Sequence, residues 1–296
     1  MIIRIKKKSL RQFLILFLIV LIIIPIVYAP SVAVSKTFLV YMTLGNAAPF
    51  IIWVNQTVTV DPLEASNVTL QFYFNVSDTN GATTLDASSA KVEVKFNGIS
   101  RTSFACSNVQ NASSTVGVWN CSVQFAYFDN ASASWTINAS IRDTSDSAAT
   151  NATGTFTYNT LSAFALKSTV INFTGVSLGQ SNVAAATNPW IVNNTGNDDF
   201  DNINITGTEL RGVTTPSEII GVGNITVNSS AAAPFGYAMI NNTQVRITGA
   251  TLIHGDPSQG IGNLSLYFFI SVPSTGFSSQ DYNATIPWTI RAYNEP

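Results

Sequence analysis

The chain has 296 residues, of which 46% are hydrophobic and only 10% are charged, whereas soluble domains usually carry about 25% charged residues. Five of its 14 basic residues lie in the first eleven positions, so the remaining body carries nine Lys and Arg against 16 Asp and Glu. Those nine cations are scattered singly, which excludes a nucleic-acid binder because such a protein needs a clustered basic face. Groups other than charged side chains must therefore keep the chain soluble.

The amino-terminal segment has the features of an export signal. An apolar run, broken only by Pro25, extends from Phe13 to Ala29 and follows a basic cluster. We expect residues 1–35 to form a signal peptide, cleaved after about Ala33, or a signal-anchor helix that is retained. In both cases the rest of the chain faces outward, so the sequence predicts an extracellular, cell-surface location.

Period-two alternation of apolar residues dominates the first half of the exported chain and indicates half-buried strands. The stretches are 68–77, 91–96, 119–127 and 135–141, and Asn80-Gly81 and Asn97-Gly98 are turn signals between them. The positions predicted to face inward are Leu70, Phe72, Phe74, Val76, Val92, Val94, Phe96, Trp119, Cys121, Val123, Phe125, Tyr127, Trp135, Ile137, Ala139 and Ile141. Short strands at this spacing favour an antiparallel sandwich.

A second alternating set follows Tyr158, in residues 164–173, 203–205, 225–227, 245–247, 266–272 and 286–290. The segment from Tyr158 to Ser162 is the best boundary between the two sets. We therefore expect an all-β protein of two tandem antiparallel β-sandwiches, residues 36–160 and residues 161–296, joined by a short linker that favours a semi-rigid arrangement.

The densest motif is the glycosylation acceptor Asn-x-Ser/Thr, which occurs 16 times, whereas chance predicts roughly six. Alternating strands place polar residues two apart without any glycan, but they use Gln, Lys and Glu as readily. Sugars would replace the missing charges and block sheet edges. The predicted acceptors are Asn55, Asn67, Asn75, Asn111, Asn130, Asn138, Asn151, Asn172, Asn193, Asn204, Asn224, Asn228, Asn241, Asn263 and Asn283. The sixteenth motif, at Asn120, is expected to carry little sugar because its middle residue is Cys121.

Two groups of sequence segments resemble known surface modules. Residues 60–64, 74–81 and 91–94 resemble the Ig-like or cadherin-like modules of archaeal and bacterial surface proteins, and residues 176–179 and 191–197 resemble hydin-type Ig-like domains. Together with the acceptor motifs, the exported chain is similar to small surface-layer-associated glycoproteins of archaea. The resemblance implies two Ig-like sandwiches with a structural or adhesive role outside the cell, and it brings no catalytic residue.

Cys106 and Cys121 are the only two cysteines. In an exported chain such a pair is expected to form a disulfide, while two buried free thiols would suit a reducing compartment.

Asp198, Asp199 and Asp201 crowd three carboxylates into a short segment that would suit calcium, or simply form a solvated loop. Asp78 with Asn80 is a weaker candidate of the same kind. No other cofactor is expected.

His254 is the only histidine, and it would have to be the base in any nucleophilic catalysis. Ser258 and Asp256 make a triad conceivable, but Gly255, Asp256 and Pro257 are turn formers, which favours a turn. The sequence therefore predicts a protein that is not an enzyme.

The favoured function is a non-enzymatic cell-surface glycoprotein in an envelope layer or a spacer. One alternative is an adhesin or a glycan- or protein-binding module, in which Trp53, Trp190 and Trp288 would stack on sugars, while Trp119 and Trp135 occupy core positions. The other is a pilus or filament subunit that retains the apolar amino-terminal helix. Expected partners are the cell envelope, neighbouring surface proteins, further copies of the chain, and the membrane where residues 1–35 are not cleaved.

Overall fold

A computed structural model describes Gln12, residues 35–55 and residues 59–294. The predicted signal or anchor helix therefore lies outside the described residues, apart from Gln12 and Ser35. Within the described part, no helix has both the length and the apolar character needed to cross a membrane. The chain divides into two compact units, Met1–Gly45 and Asn46–Pro296. In the first unit, residues 35–45 form neither helix nor strand.

The second unit is built almost entirely from strands. In chain order the described strands are β1 Phe50–Val54, β2 Thr59–Val60, β3 Val68–Ser77, β4 Leu85–Phe96, β5 Ile99–Thr102, β6 Ala105–Asn111, β7 Val116–Phe125, β8 Ser132–Asp143, β9 Ala148–Tyr158, β10 Phe164–Leu166, β11 Val183–Ala184, β12 Trp190–Asn194, β13 Asn202–Thr206, β14 Leu210–Gly212, β15 Ile219–Ile220, β16 Ile225–Asn228, β17 Tyr237–Ala238, β18 Gln244–Arg246, β19 Asn263–Ile270, β20 Tyr282–Ala284 and β21 Thr289–Tyr293. Three single-turn 3-10 helices, Ala82–Thr84, Val222–Asn224 and Pro257–Gln259, lie between them.

The first nine strands form two sheets, with the orders β1-β3-β7-β6 and β2-β9-β8-β4-β5. All neighbours are antiparallel except β2 and β9. The predicted alternation is confirmed here. The positions predicted to face inward are buried, apart from Phe96 and Tyr127, which are half-buried. At the turn between β4 and β5, Asn97 and Gly98 have φ values of 46° and 82°, which fits the tight hairpin that this dipeptide favours.

The first core is rich in aromatic side chains. The ring of Phe125 lies 5.0 Å from that of Trp135, 5.2 Å from that of Phe156 and 5.3 Å from that of Tyr158, measured between centroids. Phe72 adds an edge contact to Phe156. Because each such side chain contributes about 1.5–3 kcal/mol when fully buried, this cluster is a main source of stability in residues 51–158.

Strands β10–β21 form three further sheets, with the orders β10-β12-β19-β16-β17, β18-β13-β21 and β15-β14-β20, and β11 pairs with β19. Two sequence predictions need correction here. The strand expected over 164–173 ends at Leu166, because the Ser168 hydroxyl bonds to the backbone N–H and oxygen of Val170 and competes with a sheet ladder. The strand expected over 286–290 begins only at Thr289, after Pro287, which has no N–H to donate.

Each half of the unit has its own hydrophobic core. The first core takes its buried residues from positions 51–158, and the second takes them from positions 185–270. In the second core, Trp190 packs edge-on against Phe268, which also contacts Trp288. The protein is thus a nearly all-β, sandwich-like structure of mainly antiparallel sheets. The division at residues 160 and 161 stays a prediction.

Candidate functional site

The 16 acceptor asparagines all lie within the described residues, and none of them is buried. Six are exposed, namely Asn67, Asn111, Asn172, Asn241, Asn263 and Asn283, and the other ten are half-buried. By contrast, Asn194, Asn197 and Asn202, with relative exposures of 2%, 4% and 3%, are buried, and none of these three is the acceptor asparagine of a motif. The acceptor asparagines are therefore exposed or half-buried, whereas the three buried asparagines are not acceptors.

The half-buried acceptors differ in what their side chains already do. Asn151, Asn224 and Asn228 donate their amide nitrogen, the atom that a glycan would occupy, to backbone oxygens at 3.2, 3.1 and 2.9 Å. The Oδ1 atoms of Asn120 and Asn204 are buried without a hydrogen-bond partner. The side chains at these five positions are therefore less accessible or already bonded, unlike those of the six exposed asparagines.

The outer face of sheet β1-β3-β7-β6 carries exposed aromatic residues. Trp53 on β1 is 44% exposed and Tyr73 on β3 is 37% exposed. Trp53 is the register partner of Asn75, and Tyr73 is the register partner of Asn120. We call Trp53 and Tyr73 the outer aromatic pair. The sequence suggested Trp53 as a sugar-stacking residue, but it did not reveal which asparagine stands opposite.

The other tryptophans lie inside the molecule. Trp119 and Trp135 are buried in the first core, as predicted. Trp190 is buried in the second core and donates its indole N–H to the backbone oxygen of Ser168 at 2.9 Å. Trp288 is half-buried against the same core and donates to the oxygen of Thr208 at 3.0 Å. The rings of Trp190 and Trp288 thus pack on core side chains, and their stacking on an external sugar stays a prediction.

A polar junction joins the residues of the first core to those of the second. The side-chain amide of Asn197 donates to the backbone oxygens of Asp129 and Asn159, both at 3.0 Å, and its Oδ1 accepts from the backbone N–H of Leu161 at 2.7 Å. The backbone oxygen of Thr195 accepts a hydrogen bond from the backbone N–H of Ala65 at 3.0 Å. Since Asn197 is buried, breaking this set would leave desolvated polar groups unpaired, at a cost of about 1–3 kcal/mol each.

Asp129 links the junction to the first sheet pair. Its buried carboxylate accepts from two guanidinium nitrogens of Arg101, one of them Nε at 3.0 Å, and from the backbone N–H of Ala126 at 2.9 Å. Tyr158 donates its hydroxyl to the oxygen of Ala126 at 3.0 Å. Burial, and then the negative charge of Asp129, raise the pKa of Tyr158, so this phenol stays protonated as a donor.

Beside this junction lies a cleft of about 240 Å³, whose lining includes Phe96 and Asn130 from the first half and Asp198, Asp199 and His254 from the second. His254 Nδ1 lies 2.7 Å from Asp199 Oδ1, and Nε2 lies 2.8 Å from Asn130 Oδ1. Both ring nitrogens thus face oxygen atoms. This pattern requires either a doubly protonated ring or an Asn130 amide turned to present its NH₂ group.

The Ser-His-Asp arrangement conceivable from the sequence is not formed. Asp256 accepts from the backbone N–H of Ser258 at 2.9 Å and starts the short 3-10 helix Pro257–Gln259, which is the turn that the sequence favoured. The carboxylate beside His254 belongs to Asp199 instead, 55 positions away. Sequence neighbours therefore could not reveal the partners of this histidine.

The acidic candidates for calcium take separate partners. Asp198 accepts from Ser162 and Asn294 through one carboxylate oxygen, whereas Asp199 accepts from the backbone N–H and the ring of His254. Asp201 is exposed. Asp78 is buried and accepts from the N–H of Asn80 at 2.8 Å and from Thr84 at 2.9 Å. In the part of the chain that the structure describes, no three metal-ligating side chains converge.

The predicted disulfide is present between Cys106 and Cys121. The two residues are register partners on the neighbouring strands β6 and β7. Cys121 is buried in the first core, and Cys106 packs against it from the edge strand. The bond therefore fastens the edge strand β6 to the centre of its sheet.

Glu218 holds together a second polar cluster in the second half. Its carboxylate accepts from the backbone N–H of Ser278 at 2.7 Å, from the Ser278 hydroxyl at 2.8 Å, from Gln280 at 2.9 Å and from the hydroxyl of Tyr282. These donors, the Ser278 N–H foremost, lower the pKa of Glu218 to about 2. The sequence does not indicate this cluster, because Glu218 lies 60 to 64 positions before Ser278, Gln280 and Tyr282.

No protein-family model and no curated protein sequence matches this chain. The class that the fold and the site define is thus a nearly all-β, disulfide-bonded protein whose 16 acceptor-motif asparagines are exposed or half-buried. Function has to be argued from that surface and from the junction.

Proposed function

We propose that this protein is a non-enzymatic, exported cell-surface glycoprotein that serves as part of an envelope layer or as a spacer. It would consist of two Ig-like sandwiches, residues 36–160 and 161–296, after a signal peptide or anchor in residues 1–35. The observation that carries the proposal is the placement of the asparagines: none of the 16 acceptors is buried, whereas three asparagines that are not acceptors are.

Solubility gives this placement a physical reason. A chain with only 10% charged residues needs other hydrated groups at its surface, and N-linked sugars supply them. Several acceptors lie on strands, where a bulky sugar also hinders pairing with strands of other molecules. Glycans would thus act both as solubilising groups and as protection against aggregation.

The polar junction supports a spacer role. A spacer has to keep its sandwiches in a fixed arrangement, and the bonds of the buried Asn197 to Asp129, Asn159 and Leu161 resist relative motion because separation would leave its amide desolvated and unpaired. The His254 ring adds a contact to Asn130 at the edge of the same junction. These groups have a structural use, which favours the non-enzymatic proposal.

One observation favours the filament alternative. In residues 38–44 the six large apolar side chains are 79–86% exposed, namely Phe38, Leu39, Val40, Tyr41, Met42 and Leu44. An exposed segment of residues with high strand propensity is suited to pair with an edge strand of another copy of the chain. Native mass measurement of the purified protein distinguishes the two: a filament subunit forms large assemblies, which are lost when residues 38–44 are replaced by a Gly/Ser segment.

The test of the leading proposal is site-by-site glycan mapping of the full chain purified from its native source. We expect sugar on the six exposed acceptors, little on Asn151, Asn224 and Asn228, and none on the exposed Asn97, which lies outside the motif. An intact mass equal to that of the bare polypeptide, which is 31.7 kDa for the full chain and correspondingly less after signal-peptide cleavage, would contradict the proposal, because no sugar would then be present.

A further inference from the structure

The outer aromatic pair, Trp53 and Tyr73, stands beside a predicted attachment site. We propose that the glycan on Asn75 folds back, so that its first sugar packs against the ring of Trp53 and the edge of Tyr73. This inference rests on the proposed glycoprotein function and names the surface that receives the sugar.

Strand register brings these three residues together on one face. Strands β1 and β3 pair antiparallel, with Trp53 opposite Asn75 and Val54 opposite Phe74. Val54 and Phe74 are buried, so Trp53 and Asn75, which are register partners next to the irregularity between Ile51 and Trp53, point to the outer face. Tyr73 precedes Asn75 by two positions and shares that face.

Exposure shows that the rings have room for a ligand. Trp53 is 44% exposed and Tyr73 is 37% exposed, while the neighbouring Phe50 and Ile52 on β1 are 67% and 50% exposed. Such a patch is unfavourable in water unless something covers it. The C–H face of a sugar ring is apolar and flat, so it can pack on an aromatic face while its hydroxyls remain hydrated.

Asn75 is the acceptor best placed to supply that sugar. Asn120 lies opposite Tyr73 on β7, but its Oδ1 is buried without a partner, and its motif contains the bonded Cys121. Asn55 is a nearer competitor, since its backbone N–H donates to the oxygen of Tyr73 at 2.8 Å. The experiment therefore has to separate Asn75 from Asn55.

Asn138 provides a matched control. It is a half-buried acceptor on an outer sheet face, like Asn75, but its register partner on β4 is Glu93. The residue two positions before it is Thr136, so no aromatic ring takes the place of Trp53 or Tyr73. A sugar on Asn138 should leave the tryptophans unaffected.

Trp53 is itself the reporter for the test. Of the five tryptophans, it is the exposed one, whereas Trp119, Trp135 and Trp190 are buried and Trp288 is half-buried. Iodide, which does not enter protein cores, should quench mainly the fluorescence of Trp53. The quenching constant of the native glycosylated full chain is compared with those of Asn75→Gln, Asn55→Gln, Asn138→Gln and Trp53→Phe, each checked for unchanged thermal unfolding.

We expect Asn75→Gln to raise the iodide quenching constant by roughly twofold, since one ring face becomes accessible, and Asn55→Gln and Asn138→Gln to leave it unchanged. In the Trp53→Phe background, Asn75→Gln should have no effect. The inference is overturned if Asn75 carries no sugar, if its removal does not change quenching, or if Asn55→Gln produces the rise instead. If any of these results is found but other acceptors carry sugar, the glycoprotein proposal still stands. If no acceptor carries sugar, both the glycoprotein proposal and this inference are wrong.

Discussion

Gly196 lies directly against the backbone of Leu161: a Cβ atom on this glycine would stand 1.9 Å from the Leu161 oxygen. The glycine sits between Thr195 and Asn197, which bind the first half of the unit. Gly196→Ala should therefore open the junction and lower the free energy of unfolding by about 1–3 kcal/mol or more, as overpacking does. Urea unfolding measures the loss, and limited proteolysis should show new cleavage near residues 159–163.

Gly221→Ala is the matched control, because its nearest neighbour would be 3.7 Å from the new Cβ and its φ of −60° suits alanine. If Gly196→Ala and the wild type had equal stability and equal protease resistance, the close packing of Gly196 against Leu161 would not be needed to hold the junction, and the prediction would be wrong.

Local pattern accounts for what the sequence predicts well. The strands β3, β7 and β8 show their buried face as every second residue, so Leu70 and Phe72 could be assigned without knowing their partners. The junction has no such signal, because Asn197 meets Asp129 and Asn159, 68 and 38 positions away. In the sequence, Asn197 stands directly before Asp198 and Asp199, where the density of charge is visible but the burial of a single amide is not.

The disulfide should stabilise the protein mainly by tying the edge strand β6 to β7. Its loop closes over a sequence separation of 15 residues, and the double variant Cys106→Ala/Cys121→Ala should lose about 2–5 kcal/mol of unfolding free energy. Urea unfolding with and without dithiothreitol measures this: reductant should destabilise the wild type and leave the double variant unchanged. Reactive thiols in the folded, unreduced wild type would contradict the bond.

Glu218 should make stability depend on pH in the acid range. Its pKa is lowered from 4.5 to about 2 by the N–H of Ser278 and the other donors, so the folded state favours the charged carboxylate. The resulting stability is fully present above about pH 5 and is lost as the pH falls toward 2. The difference in urea midpoint between the wild type and Glu218→Gln should therefore be largest near neutral pH and shrink below pH 4.

Glu209→Gln serves as the comparison, because the Glu209 carboxylate pairs with Arg211 beside the same sheet instead of holding the Ser278 segment. A wild-type advantage over Glu218→Gln that stays constant down to pH 2 would show that the carboxylate charge is not what holds Ser278, Gln280 and Tyr282.

His254 should prove structural. Its ring nitrogens face Asp199 Oδ1 and Asn130 Oδ1 across the cleft, and Asp199 also accepts from the backbone N–H of His254 at 2.6 Å, so the residue holds two segments together. His254→Ala should lower the free energy of unfolding by about 1–2 kcal/mol through two lost hydrogen bonds. Calorimetry measures that loss, and His254→Gln, which can keep one of the bonds, should recover part of it. A hydrolytic activity of the native protein that disappears in His254→Ala would overturn the non-enzymatic proposal, because the imidazole would then be acting as the positioned base that such catalysis needs.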